Sequence, residues 1–244
     1  MRNITLEIAY DGTFYSGWQI QDNAITIQGV LQEALAKIVK HPIHLIASGR
    51  TDRGVHAIGQ VATFKTESRM STEEFKMAVN SAVSSDIRIV NVVESLPDFH
   101  PRYSARRRWY RYIISNRNDQ VPFFKNYSLW VRRRLNIDLL NKYCKRIKGK
   151  HDFKNLGTVE KGEVPIREVV ECEFNRKNDF VIFDIVANSY LRKMVRFIVG
   201  TFLQLERRGE KPVRVDDILT SEKRNTLVQS SYAGGLYLLK VFYQ

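Results

Sequence analysis

The sequence predicts an α+β fold of two ferredoxin-like β-α-β-β-α-β lobes with antiparallel sheets, one over residues 1–105 and one over 106–244. Three observations carry that expectation. Apolar residues switch between a period of two and a helical period in the order strand, helix, strand, strand, helix, strand. The same order recurs in the second half. Finally, 244 residues, 43% of them hydrophobic and 11% aromatic, supply enough apolar material for two cores.

In the first lobe, Ile4, Leu6, Ile8 and Tyr10 alternate with polar or small residues, the pattern of a half-buried strand. Ile27, Val30, Leu31, Ala34, Leu35 and Ile38 then recur at helical spacing. A short apolar run around Leu45 and Ile46 leads into a glycine-bounded turn, and residues 58–64 read as another strand. Ser71-x-x-Glu74 is a capping box, opening a helix with Phe75, Val79, Ala82 and Val83 on one face. Ile87, Ile89 and Val93 alternate in a closing strand.

The second lobe begins with a strand over residues 109–115 and a helix over 136–148, with Ile137, Leu140 and Ile147 as its apolar points. Residues 168–174 and 180–187 form a hairpin, turned by the polar Asn175-Arg176-Lys177-Asn178. Leu191, Met194, Val195, Ile198, Val199 and Phe202 make a helical stripe, and residues 236–243 supply a last strand. Only the stretch 97–108 joins the halves. Two such lobes packed together would enclose a cleft between their sheets.

The chain carries 39 Lys+Arg against 26 Asp+Glu, a formal net charge of +13. An excess of that size bears on partners, and the commonest polyanion in a cell is nucleic acid. A membrane-surface role competes, but no apolar run approaches the ~18 residues that span a bilayer. The strand pattern begins within a few residues of Met1, leaving no room for a signal peptide. Cys144 and Cys172 lack a Cys-x-x-Cys partner, and the five histidines have no zinc-ligand spacing. The expectation is a reduced, metal-free, cytoplasmic protein.

Arg102, Arg106, Arg107, Arg108 and Arg111 cluster at the junction, interleaved with Tyr103, Trp109, Tyr110 and Tyr112. Arg132, Arg133 and Arg134 form another run, followed by Lys142, Lys145, Arg146, Lys148 and Lys150. Arginine for phosphates and aromatic faces for unstacked bases is how proteins grip RNA loops and flipped nucleotides. A plainer reading packs Tyr110 and Tyr112 in a core and leaves the arginines on a solvated face. An RNA-recognition-motif reading is disfavoured. Arg53-Gly54 is followed by Val55, His56, Ala57 and Ile58, with no aromatic until Phe64.

Residues 49–57 hold one carboxylate, Asp52, between Arg50 and Arg53. A carboxylate fixed on a loop by flanking strands suits a nucleophile, although Asp and Gly are also ordinary turn residues. Asp11 is a second acid, expected to support an Asp-Gly turn.

The motifs Tyr10-Asp11-Gly12-Thr13, Gly17-Trp18-Gln19-Ile20-Gln21 and Thr26-Ile27-Gln28-Gly29 precede this turn. Phe99-His100-Pro101-Arg102-Tyr103-Ser104-Ala105, Tyr110-Arg111-Tyr112 and His151-Asp152-Phe153 follow it. Ala187-Asn188-Ser189-Tyr190-Leu191, Met194-Val195-Arg196 and Gly235-Leu236-Tyr237-Leu238 complete the series. With these in order from end to end, the chain resembles the TruA family, the tRNA pseudouridine synthases acting on positions 38 to 40 of the anticodon arm.

The resemblance implies a basic active-site cleft between the lobes, a homodimer, and no cofactor or metal. It implies isomerisation of uridine to pseudouridine in the anticodon stem-loop of tRNA, with flipping of the target base. It carries catalysis onto Asp52, places Tyr110 against the target base and makes Arg196 the cationic partner of Asp52. Arg50, Arg53, His56, Arg108, Arg111 and Leu191, with Tyr110, are the expected RNA-contacting residues. Two positions depart from the pattern: Arg53, where alanine is frequent, and Ser231-Tyr232-Ala233-Gly234-Gly235, which lacks a proline often seen there. Two other readings stand beside this one, a non-catalytic RNA-binding or chaperone protein and an N-glycoside hydrolase releasing uracil.

Overall fold

The N-terminal alternation becomes β1 (Arg2–Tyr10), with Ile4, Leu6 and Ile8 fully buried, in the computed structural model, which describes residues 1–223 and 225–244. The chain divides into two units, Met1–Arg106 with Tyr237–Gln244, and Arg107–Leu236.

In the first unit the Thr26 side chain caps α1 (Ile27–Val39) by accepting the Gly29 N–H, and the helix buries Ile27, Leu31, Ala34 and Leu35. The short β2 (Ile46–Ala47) and β3 (His56–Thr66) follow. The capping box at the start of α2 (Thr72–Ala82) is complete. Ser71 Oγ accepts the Glu74 N–H at 3.2 Å, and Glu74 Oε2 accepts the Ser71 N–H at 2.7 Å. These bonds favour the ionised acid and hold the Glu74 carboxyl below its ordinary range. The box is therefore at full strength at neutral pH and weakens as the pH falls through that lowered value.

β4 (Ile87–Ser95) closes the unit. β1 pairs antiparallel with both β3 and β4, and β2 pairs antiparallel with β3, so the order is β4-β1-β3-β2, the ferredoxin-like arrangement. Phe75 of α2 is fully buried, edge-on to Phe64 at 5.7 Å, and locks the helix to the sheet.

The final strand, β10 (Leu236–Phe242), runs parallel to β3, with Tyr237 opposite His56 and Leu238 opposite Ala57. The sequence pattern ends the second lobe with this strand, whereas from Tyr237 onward its residues pack in the first unit. The reason is local. A Cβ at Gly59 would stand 2.4 Å from the Leu239 carbonyl oxygen, so only glycine admits the strand there. The Arg106 N–H donates to the Phe242 carbonyl at 2.8 Å, and the Tyr243 hydroxyl donates to that of Pro101 at 3.0 Å.

The second unit contains β5 (Arg107–Ser115), with β6 (Leu129–Trp130) parallel to it, α3 (Ile137–Ile147) capped by Asn136, and β7 (Gly149–Asp152). β8 (Ile166–Lys177), β9 (Phe180–Ala187), α4 (Met194–Arg208) and α5 (Val213–Thr220) follow. The antiparallel order is β5-β9-β8-β7. Phe174, Phe183, Tyr112, Tyr143 and Phe202 fill its core.

Two local expectations need correction. The hairpin turn is not 175–178: β8 continues to Lys177, which pairs with Phe180, leaving the two-residue loop Asn178-Asp179. Asn178 sits at φ 52, the left-handed conformation such a loop demands and asparagine tolerates. Helix α5 is absent from the sequence reading, although Val215, Ile218 and Leu219 are its buried face at helical spacing. Eight residues after Pro212 give too short a periodic signal to stand out.

Among the described residues no helix is long and apolar enough to cross a membrane, and no group of three or more His, Cys, Asp or Glu is placed to hold a metal ion. Cys144 and Cys172 are buried free thiols.

Because Phe75 fills the seam between α2 and its sheet, Phe75→Ala should cost about 3–5 kcal/mol. Urea unfolding should show this as a lowered midpoint with an unchanged slope.

Candidate active site

Asp52 opens a tight turn. Its carbonyl accepts the Val55 N–H at 3.1 Å, and Gly54 lies at φ +75, which favours glycine at that place. Asp52 is half-buried, while Arg50 and Arg53 on either side are exposed.

Residues 10–18 hold this turn from one side. The Trp18 N–H donates to the Thr51 carbonyl at 3.0 Å, and the Tyr10 hydroxyl meets Thr51 Oγ1 at 2.7 Å. A Cβ at Gly12 would stand 2.0 Å from the Val55 carbonyl oxygen. One at Gly17, itself at φ +90, would stand 2.6 Å from that of Thr51. Only glycine lets the two backbones touch. The same segment serves α1, since the Ile27 and Gln28 N–H groups donate to the carbonyls of Gly17 and Trp18. Amides left over at a helix start are thereby satisfied, and the 10–21 motif becomes a brace between α1 and Asp52.

A buried polar layer supports the turn from beneath. Ser48 Oγ donates to Gln60 Oε1 at 2.7 Å, and Gln60 Nε2 donates to the Gly49 carbonyl at 2.9 Å. His56 is 2% exposed; its Nδ1 accepts the Gly12 N–H at 3.2 Å and lies 3.1 Å from Asp11 Oδ1. The His56 ring stacks on Tyr237, with centroids 4.7 Å apart. Asp11 Oδ1 also accepts the Thr13 N–H and hydroxyl at 2.9 and 2.6 Å, the turn role expected of it. Ser48 and Gln60 are functional supports that sequence reasoning misses. The available signal was a glutamine inside an apolar strand, which must be satisfied when buried.

In the second unit the pleat of β5 sorts the junction residues. Arg108, Tyr110 and Tyr112 are buried on one face, and Trp109 and Arg111 lie on the other. Tyr110, 8% exposed, meets Tyr190 edge-on at 5.0 Å. The Tyr190 hydroxyl lies 3.0 and 3.1 Å from the carbonyls of Ile185 and Arg108, and burial pushes this phenol well above its ordinary pKa. Arg108 Nη1 donates to the Asn188 carbonyl at 2.9 Å. Arg111 is gripped by both Asp184 oxygens at 2.9 Å, while Trp109 Nε1 donates to the same carboxylate and its ring lies 5.4 Å from the guanidinium.

Arg196 is half-buried on the first turn of α4. Its Nε donates to the Ser231 carbonyl at 3.0 Å, and its own carbonyl accepts the Ser231 N–H at 3.0 Å. Gly200 permits this approach, because a Cβ there would stand 2.2 Å from the Gln229 carbonyl oxygen. Leu191, 2% exposed, packs over Gly157, where a Cβ would meet its own at 2.6 Å.

The first unit thus brings together Arg50, Asp52, Arg53 and His56; the second holds Arg108, Tyr110, Arg111, Leu191 and Arg196. Of the expected RNA-contacting residues, His56 and Leu191 are buried and Arg108 and Arg111 have internal partners. The plainer reading of Tyr110 and Tyr112 as core side chains therefore holds for their burial. Positive charge at the surface comes from Arg50 and Arg53 and also from Arg102, Arg106, Arg107, Arg132, Arg134, Lys142, Lys145, Lys148 and Lys150, all exposed. Arg133 and Arg146 are paired with Glu206 and Asp216.

A family model described as tRNA pseudouridine synthase matches residues 8–104 and 143–244. The tRNA pseudouridine synthase A of Caldicellulosiruptor bescii is 39% identical over 244 residues, covering all of both chains. That of Thermoanaerobacter sp. strain X514 is 40% identical over the same full span, and that of Borrelia hermsii 38% over 245 residues. The chain belongs to the tRNA pseudouridine synthase family. It is therefore an isomerase. The match leaves out residues 105–142, which include β5 and the Arg132-Arg133-Arg134 run, while the full-length relatives span them.

Gly12→Ala and Gly17→Ala each drive a Cβ into backbone of the Asp52 turn. Each should cost about 1–3 kcal/mol, as overpacking against an immobile partner does. Urea unfolding should show it, and Gly162→Ala, where a Cβ meets nothing within 4 Å, serves as a control for the cost of positive φ alone.

Proposed function

We propose that the chain isomerises uridine to pseudouridine in the anticodon stem-loop of tRNA, at positions 38 to 40, with Asp52 as the catalytic carboxylate. The observation that carries this reading is the Asp52 turn: a carboxylate on backbone held by glycine-mediated contact from residues 12–17 and by Gln60 from below. A fixed, half-buried carboxylate between exposed arginines suits attack on a sugar embedded in a polyanion.

Reactant and product are isomers. The N1–C1′ bond breaks, the uracil turns, the C5–C1′ bond forms, C5 loses a proton and N1 gains one. Asp52 either attacks C1′ to form a glycosyl ester or assists departure of the base through a glycal. A glycoside hydrolase uses two carboxylates because water must be activated. Here the detached base is the second reactant, so one carboxylate suffices and water is excluded.

In this proposal Arg196 is the cationic partner of Asp52; its Nε is held by the Ser231 carbonyl. Tyr110 lies against the target base, its ring fixed by Tyr190, and assists proton loss from C5 directly or through water. Flipping the uridine costs a few kcal/mol of unstacking, which contacts to the RNA offset. Arg50 and Arg53, the exposed pair, contact phosphate. His56, Arg108, Arg111 and Leu191 act mainly as supports, given their burial or internal partners. The protein works as a homodimer in the cytoplasm, without cofactor or metal.

Asp52→Asn should bind an unmodified tRNA transcript as the parent does and form no pseudouridine, read by carbodiimide-primed reverse transcription. Pseudouridine at undiminished rate would refute the assignment; free uracil and abasic RNA from the parent would make it a hydrolase. Arg53→Ala should weaken binding of every tRNA alike and lower the slope of log affinity against log salt by about one.

A further inference from the structure

We infer that residues 100–104 present Tyr103 as a stacking platform for an unpaired RNA base other than the target uridine. The inference rests on the reading of the chain as an RNA-modifying enzyme. Tyr103 is 79% exposed, yet its ring is supported. The His100 ring lies beneath it with centroids 4.3 Å apart and planes 32° from parallel, and the Arg102 guanidinium carbon sits 5.9 Å from its centre.

The backbone that carries the ring is held at several points. His100 Nδ1 accepts the N–H groups of Arg102 and Tyr103 at 3.2 and 3.3 Å. The Ser104 N–H donates to the His100 carbonyl at 2.9 Å, and the His100 N–H donates to Ser104 Oγ at 3.3 Å. This closed turn is tied to the unit at both ends. Asn3 Nδ2 donates to the Phe99 carbonyl at 3.1 Å, and the Tyr243 hydroxyl to the Pro101 carbonyl at 3.0 Å, with Phe99 and Tyr243 edge-on at 5.0 Å.

An exposed aromatic side chain ordinarily samples several rotamers and loses that freedom on binding. Tyr103 is 79% exposed with the His100 ring held against it, so a ligand ring meets a surface already in place. The exposed Arg106 and Arg107 nearby in sequence, and a net charge of +13, favour a polyanion over a protein partner. A ring face recognises the π-face of any base, so the site takes an unstacked nucleobase without regard to its identity.

The test uses the full-length protein and an unmodified tRNA transcript, with binding followed by fluorescence anisotropy across a salt series. Tyr103→Ala should weaken binding by roughly ten- to a hundredfold, the scale of one base–aromatic stack, while leaving the salt slope unchanged. Tyr103→Phe should bind as the parent does. Undiminished binding by Tyr103→Ala, an equal loss in Tyr103→Phe, or a change of oligomeric mass in Tyr103→Ala would each overturn the platform. If the parent forms pseudouridine and Tyr103→Ala binds normally, the platform alone fails. If no protein forms pseudouridine but Tyr103→Ala alone loses affinity, the isomerase reading fails and the platform stands.

Discussion

Backbone touching backbone between residues 12–17 and 51–55 is the constraint on which the rest of the first unit depends. The contact leaves no room for a Cβ at Gly12 or Gly17, and the Trp18 N–H completes it by donating to Thr51. A contact between main chains has no rotamers to sample, so it fixes the backbone that carries Asp52. It also sets the start of α1, because the amides of Ile27 and Gln28 donate to the carbonyls at 17 and 18. One loop therefore orients the helix and the carboxylate together.

Beneath that loop lies a buried polar layer of Ser48, Gln60, His56 and Asp11. Buried polar groups are costly when unmatched, and this layer matches them to backbone groups of the two loops at Gly49 and Gly12. The strand β10 adds Tyr237 as a stacking floor for His56. Residues near 12, 56 and 237, far apart in the chain, thus share one small volume in the first unit.

The arginines divide by environment, not by position in the sequence. Arg108, Arg111 and Arg196 are anchored to Asn188, Asp184 and Ser231, so each is a fixed feature of the second unit. Arg102, Arg106, Arg107, Arg132 and Arg134 are exposed and keep their charge at the surface, where long-range attraction to a polyanion acts. On β5 the exposed Arg107 and the buried Arg108 differ because successive side chains point to opposite faces, whereas Arg111, on the Arg107 face, is held by Asp184.

Much of the fold was legible in the sequence. Alternation in β1, the helical stripe of α4 and the Ser71–Glu74 box each reflect a local period or a contact within four residues, which the sequence alone encodes. So did the loop carrying Asp52, through its glycines and flanking strands, and the family, through ordered motifs. The sequence could not show that Leu236–Phe242 would run beside β3, that Arg111 would be gripped by Asp184, or that His56 and Leu191 would be buried. Those outcomes depend on contacts between residues tens to nearly two hundred positions apart. Composition and period determine which segments form and which faces are apolar. Only the tertiary structure decides which polar side chain meets a buried partner and which remains in water.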